Sequence, residues 1–325
     1  MRTQLFIVLI AFMLIGNCCK AQYLEPKKDS NGKYGFIDEN GNEVIPFKYD
    51  YASGFYEGLS AVHLNGKCGY IDKTGKEVIP LSHDYDLAGS FYEGLAYVKL
   101  NDKWGYIDKT GKKIIPLKYD EAGIFVHGSA RVALNSKCGY IDKTGKVIIP
   151  LKYDDAGDFF FSGGLARVKL NNKWGYVNET GAEVIPLKYD EADYFGELAR
   201  VKLNNKWGYV DETGVEVVPL KYDDAGDFFY EGLARVKLND KWGYTDKTGA
   251  EVIPLKYDKA GNFTEEELAR VKLNYKWGYI DKTGVEVIPL KYDDAGDFDE
   301  GLAEVLLYGE SFYIDKTGKC VKDCP

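Results

Sequence analysis

The sequence predicts an all-β protein made of tandem copies of one short unit. Three observations carry this. An aromatic residue or Cys followed by Gly recurs at Tyr34-Gly35, Cys68-Gly69, Trp104-Gly105, Cys138-Gly139, Trp174-Gly175, Trp207-Gly208, Trp242-Gly243 and Trp277-Gly278, and a ninth, degenerate copy reads Phe312-Tyr313. The steps are 34, 36, 34, 36, 33, 35, 35 and 35 residues, and self-similarity at such a period marks solenoids, propellers or arrays. A second marker runs in phase: Pro46, Pro80, Pro116, Pro150, Pro186, Pro219, Pro254 and Pro289, all the prolines but Pro26 and Pro325. Beyond residue 21 there is no long stretch of helical periodicity, while period-two alternation bounded by Asn, Asp and Gly is frequent.

The elements follow in chain order. Residues 1–21 read as a signal peptide. Arg2 gives the positive start, and Leu5–Gly16 is an apolar run of 12 residues, short of the ~20 needed to span a bilayer. Two processing routes are open. Cleavage after Ala21 would leave Gln22 first, with Cys19 and Ala21 as the small residues of the site; alternatively Ile15-Gly16-Asn17-Cys18 resembles a lipobox, with Cys18 carrying a lipid anchor. Both routes lead out of the cytoplasm: to a secreted, periplasmic or surface protein, or to a lipoprotein. Residues 22–32 form a lead-in, 33–319 hold the nine copies, and 320–325 form a Cys-containing tail.

One unit can be read on Leu233–Asp258. Leu233–Leu238 is a strand with Ala234, Val236 and Leu238 on one face. Asn239-Asp240 is a two-residue turn, whose counterpart Asn65-Gly66 is a strong hairpin signal. Lys241–Asp246 is the second strand. Asp246-Lys247-Thr248-Gly249 is a turn in which Asp caps the backbone and Gly takes positive φ. Glu251–Tyr257 is a third strand, and Pro254 makes it an edge or interrupts it. The stretch Asp223-Asp224-Ala225-Gly226-Asp227-Phe228 connects to the next unit. A three-stranded unit cannot bury its own face, so neighbours must stack. Nine such copies favour an open, twisted β-array, with degenerate end copies as caps, over a closed propeller-like ring of four-stranded blades.

The string G-K-W-G-Y-I-D-x-x-G-x-x-V-I-P-x-x-Y-D-x-A, followed by F-x-x-G-L-A-x-V, resembles the bacterial WG repeat, also called the KWG repeat, over roughly Lys33 to Lys319. Tyr34, Cys68, Cys138 and Phe312 depart from it in the Trp slot, and Tyr313 in the Gly slot. The resemblance implies tandem β-rich repeats on secreted or surface bacterial proteins, with no shared catalytic activity and no specified ligand.

Composition narrows the function. The chain has 325 residues and a net charge of −9. Loss of residues 1–21 removes Arg2 and Lys20 and no acid, making it more negative. An acidic chain is a poor nucleic-acid binder, and no transmembrane segment is expected in the mature chain. The apolar share of 45% excludes global disorder.

A two-residue turn at Asn239-Asp240 pairs Lys237 with Trp242 and Arg235 with Tyr244. One sheet face would then carry a ladder of Trp104, Trp174, Trp207, Trp242 and Trp277 with Tyr106, Tyr176, Tyr209, Tyr244 and Tyr279. Such a ladder could dock a sugar or peptide, or pack under the next copy with Lys and Arg stems across it. Cys68 and Cys138 in the Trp slot favour packing. The Asp groups 154/155/158, 223/224/227 and 293/294/297 would bond their own backbone rather than hold Ca²⁺. Cys320 and Cys324 can close a small disulfide loop, while Cys68 and Cys138 should be buried thiols. His63, His83 and His127 occupy no repeated slot, and no nucleotide fingerprint occurs. The expectation is therefore a non-enzyme without metal or cofactor. It would bind or scaffold a protein or polysaccharide of the cell envelope through many equivalent contacts, with glycan binding by the aromatic ladder, or service as a passive spacer, as alternatives.

Overall fold

The computed structural model describes residues 23–83, 85–157, 164–194, 196–227 and 232–324. The leader, Cys18, the Ala21–Gln22 junction, Asp158 and Phe228 lie outside the described residues. The chain divides into two compact units, Met1–Asn135 with Ile141–Lys146 and Ser136–Tyr140 with Val147–Pro325.

All regular structure in the described residues is antiparallel β. In the first unit a three-stranded sheet comprises Glu25–Lys28, Tyr34–Ile37 and Glu43–Tyr49. Four-stranded sheets follow: Tyr51–Ala52, Leu59–Leu64, Lys67–Asp72 and Glu77–His83, then Leu87–Ala88, Leu95–Leu100, Lys103–Asp108 and Lys113–Tyr119. The fourth copy's opening pair, Glu121–Ala122 with Ser129–Leu134, also belongs to this unit. The second unit carries the sheets of copies five to nine, from Asp155–Ala156 to Cys320–Lys322.

The seventh copy shows the plan. Asp224–Ala225, Leu233–Leu238, Lys241–Asp246 and Glu251–Tyr257 lie side by side in that order. The middle strands pair Lys237 with Trp242 and Arg235 with Tyr244, the predicted register. Asn239 and Asp240 both have positive φ, 51° and 62°, as a tight twisted hairpin turn requires. The Pro strand is an outer edge, where a missing N–H costs no ladder bond.

The structure adds a fourth strand that the sequence reading treated as a connection. Asp224 and Ala225 pair with Lys237 and Val236, and the N–H groups of Asp223 and Gly226 donate to Lys237 and Arg235 at 2.8 Å. Two residues are too few for period-two alternation to register. The lead-in and tail are also structural: Glu25–Lys28 is a strand of the first sheet and Cys320–Lys322 a strand of the last.

The Trp-Gly and Pro markers are two sides of one contact. Between Trp242–Tyr244 and Tyr257–Ile253 the register slips, so the Pro strand bulges toward the Gly. A Cβ on Gly278 would lie 2.5 Å from the Ile288 carbonyl oxygen and 2.8 Å from Leu290 N. Those are backbone atoms that cannot step aside, so only glycine fits. The ninth copy needs correction on this point. Register places Ser311 opposite Leu306, Phe312 opposite Val305 and Tyr313 opposite Glu304. Ser311 thus holds the Trp slot and Phe312 the Gly slot, one residue from the sequence reading. Phe312 fits because the facing strand, Cys320–Lys322, has no proline and pairs only with Tyr313 and Ile314, its register slip lying between those two and not opposite Phe312.

Core lies between successive sheets within each unit. Tyr244, Ile253 and Tyr257 of one copy pack on Ala260, Ala269, Val271 and Ile280 of the next, and Tyr209, Val218 and Tyr222 pack on Ala225, Ala234 and Val236. Full burial of a valine such as Val236 contributes about 1.5–3 kcal/mol. The sheet of the seventh copy is therefore covered on both faces. The end sheets replace these groups with polar ones: exposed Glu25 and Lys27 stand in the slots of Ala234 and Val236, and exposed Glu304 and Ser311 stand in those of Arg270 and Trp277.

Candidate functional site

The Trp slot is a filled joint between copies. Trp174, Trp207 and Trp242 are half-buried and Trp277 is buried. The guanidinium of Arg167 lies 4.8 Å from the Trp174 ring centre, and Arg200, Arg235 and Arg270 cover Trp207, Trp242 and Trp277 at 4.8, 5.1 and 5.4 Å. Lys169, Lys202 and Lys272 add their ammonium groups at 5.5, 5.1 and 5.5 Å. Each Arg then reaches the next copy: Arg167, Arg235 and Arg270 donate to the carbonyls of Ala192, Ala260 and Ala295 at 2.8, 2.8 and 2.6 Å, and Arg200 donates to that of Ala225. In the first unit Trp104 instead takes Tyr97 edge-on at 5.4 Å and Lys99 at 5.7 Å.

The five tyrosines of the ladder are interior. Tyr106, Tyr176, Tyr209, Tyr244 and Tyr279 are at most 1% exposed. Their hydroxyls donate to backbone carbonyls of the following copy: Gly123 at 2.8 Å, Asp193 at 2.6 Å, Gly261 at 2.7 Å and Gly296 at 2.8 Å, with Tyr209 on Gly226. Burial drives the phenols of Tyr176, Tyr209, Tyr244 and Tyr279 well above the usual tyrosine range. Of the two readings the sequence leaves open for the ladder, docking surface or packed joint, the tyrosines follow the second and lie under neighbouring copies.

The repeated Tyr-Asp carboxylates are likewise committed. Asp120, Asp154, Asp190, Asp223 and Asp258 accept from Lys103, Lys137, Lys173, Lys206 and Lys241 at 2.5–2.6 Å. Their second oxygens accept the N–H of the next hairpin's Asn135, Asn171, Asn204, Asn239 and Asn274 at 2.6–2.9 Å. Asp155, Asp224 and Asp294 accept from the N–H of the alanine that follows each. Among the described residues no cluster of three or more His, Cys, Asp or Glu is arranged to hold a metal.

Cys68 and Cys138 are buried outside any disulfide, whereas Cys320 and Cys324 are bonded. Cys68 donates to the Tyr85 carbonyl at 3.0 Å and lies 3.3 Å from His63 Nε2. Burial and the Asp86 charge push its thiol up to about 11, while burial lowers His63. Both groups are neutral at pH 7, so they form no thiolate–imidazolium pair.

The sixth copy has the shortest connection. Between Asp190 and Arg200 it runs ten positions, against eleven from Asp120 to Arg131, twelve from Asp223 to Arg235 and thirteen from Asp154 to Arg167. Asp193 replaces the glycine of Gly226 and Gly261, and a cleft of about 300 Å³ opens there. It is lined by Asp193, Tyr194, Glu197, Arg200, Asp227 and Lys247, among others. Arg200 binds Asp193 at 2.6 Å and approaches Asp227 at 3.7 Å. Burial opposes its charge, but the two carboxylates more than offset this and hold its pKa above the ordinary value. Tyr194 is 48% exposed, with Arg167 4.0 Å from its ring centre. Lys247 pairs with Glu197 across the rim. The sequence signal for this cleft was the 33-residue step from Trp174 to Trp207, the shortest of all.

A family model described as "WG containing repeat" matches residues 34–68, 69–104, 104–138, 139–174, 174–207, 207–242, 242–277 and 277–309. The chain belongs to the WG-repeat family. No curated protein matches it. Solved structures resemble this WG-repeat chain in backbone alone. A crystal structure of the eukaryotic initiation factor shares 10% identity over 92% of this chain and 95% of its own, with a TM-score of 0.47. PorZ, a surface component of the type-IX secretion system of Porphyromonas gingivalis, shares 10% over 82% and 45%, with a TM-score of 0.32. The dihydro-heme d1 dehydrogenase NirN shares 14% over 83% and 73%, with a TM-score of 0.38. Among the described residues no helix is long and apolar enough to cross a membrane, which leaves strands unaddressed.

Proposed function

We infer that this WG-repeat chain is a non-catalytic binding or scaffolding protein that works outside the cytoplasm on a protein or polysaccharide of the cell envelope. The observation that carries this is the internal use of the recurrent chemistry. Repeated Trp, Tyr, Arg, Lys and Asp groups join one copy to the next, and the described histidines, His63 beside Cys68 and His127 in a turn, sit in no acid–base array. The apolar leader Leu5–Gly16 and the Cys320–Cys324 disulfide support an oxidising, extracytoplasmic setting, with lipid attachment at Cys18 as the second route. A stack of like units offers many equivalent contacts, whose combined strength exceeds any single one.

The test is retention of the chain from Gln22 to Pro325 on envelope fractions of its own cell, with parallel fractions treated by protease or periodate. Retention abolished by protease identifies a protein partner, and retention abolished by periodate a glycan. No retention on any fraction overturns the proposal in favour of a passive spacer.

A further inference from the structure

We propose that the cleft at the shortened sixth copy is a binding site for an uncharged sugar residue of a glycan, resting on the binding function inferred above. The tyrosines of the repeated ladder are buried and Arg and Lys groups cover Trp174, Trp207 and Trp242, so a pocket that encloses a single ligand residue is to be sought where a copy departs from the repeat, beside whatever the equivalent surfaces contribute. This cleft departs from it in length, in the Asp193 substitution and in an aromatic ring left half exposed.

The lining selects the ligand class. Tyr194 offers an aromatic face fixed in place by the Arg167 guanidinium 4.0 Å away, the kind of platform on which the C–H face of a sugar ring lies. Around it stand acceptors, Asp193, Asp227 and Glu197, and donors, Arg200 and Lys247. Asp227 is the least committed of these carboxylates: its side chain is 50% exposed and it meets Arg200 only at 3.7 Å. A carboxylate free to accept two hydroxyl protons beside a fixed ring suits vicinal hydroxyls. Other ligand classes fit worse. Both cations are paired and the remaining charge is the Asp227 carboxylate, which repels phosphate or uronate, and charged walls disfavour an apolar ligand. At about 300 Å³ the cleft is at the lower end of small-ligand sites, which span ~300–1,000 Å³, a size for a sugar residue rather than a folded partner.

The experiment probes the full chain, and the Tyr194→Ala and Asp227→Asn variants, on a printed array of neutral, uronic-acid and sulfated glycans. Tyr308→Ala, at a hairpin tip 87% exposed, serves as the control. Far-UV circular dichroism establishes that each variant is folded. The expected result is binding to neutral glycans that falls at least tenfold in both cleft variants and stays unchanged in the control. Binding only to acidic glycans, neutral binding that a folded Tyr194→Ala or Asp227→Asn chain retains, or no glycan bound at all overturns the sugar site. If envelope retention persists in any of those cases, the scaffold function stands without it; if retention is absent as well, both fall.

Discussion

Replacing Gly175 by alanine tests the account of the Trp-Gly and Pro markers directly. The new Cβ would lie 2.5 Å from the Ile185 carbonyl oxygen and 2.8 Å from Leu187 N. Both are backbone atoms of the bulged Pro strand, so relief requires moving the bulge and the ladder bonds beside it. Overpacking a tight site costs ~1–3 kcal/mol, and a backbone clash with no flexible partner belongs at the upper end, about 3 kcal/mol. Gly94→Ala is the comparison: Gly94 has φ of 86° and nothing within 4 Å of its absent Cβ, so only left-handed strain applies, ~1–2 kcal/mol. Urea unfolding followed by circular dichroism reads the difference. With an m-value of ~1–3 kcal/mol/M, Gly175→Ala should lower the midpoint by about 1 M or more, and beyond Gly94→Ala. The complementary change, Phe312→Gly, should also destabilise, because there the same slot buries a ring at 6% exposure. A Gly175→Ala chain no less stable than Gly94→Ala would refute the close-approach argument.

Three further outcomes are expected. Tyr244→Phe removes the donor to the Gly261 carbonyl and should cost ~1–2 kcal/mol in urea unfolding; an unchanged midpoint would mean the hydroxyl contributes nothing to joining copies. Asp120, Asp154, Asp190 and Asp223 have pKa values held below 3.8, chiefly by their lysine partners and then by backbone N–H donors. Depressed folded values mean the stabilisation is complete above 3.8 and lost as pH falls through the lower folded values, so melting temperature should drop below about pH 4, and a flat profile from pH 5 to 2 would contradict it. Cys68, buried with its thiol pushed up to about 11, should react with a thiol reagent at pH 8 far more slowly in the native chain than in urea; equal rates would place it at the surface.

The sequence disclosed what depends on neighbours along the chain. The pairing of Lys237 with Trp242, the Asn239-Asp240 turn and the edge position of Pro254 all follow from local rules and appear in the structure. Three things were hidden. The Asp224–Ala225 strand is too short to alternate. The ninth copy was read one residue out of register, because Phe312 looked like an aromatic in the Trp slot when it is a filler where no bulge presses. The burial of Tyr244 was masked because its face also carries Arg235 and Lys237, which look like surface residues. Their stems and hydrogen bonds belong to the joint with the next copy, and alternation within one strand cannot report a cover supplied by another.

The joints are also written in relative coordinates. From Lys103 to Asp120, from Lys241 to Asp258 and from Tyr244 to Gly261 the partner stands 17 positions on, and from Arg235 to Ala260 it stands 25 on. No copy's partners are fixed by its distance from either end of the chain. An unequal crossover that inserts or deletes a whole copy inside a unit therefore leaves every surviving joint with a proper partner, and the number of copies can drift with little penalty to folding. A shortened copy such as the sixth is different: it is the kind of change that drift in copy number cannot produce, and so the place where a lineage can write something of its own.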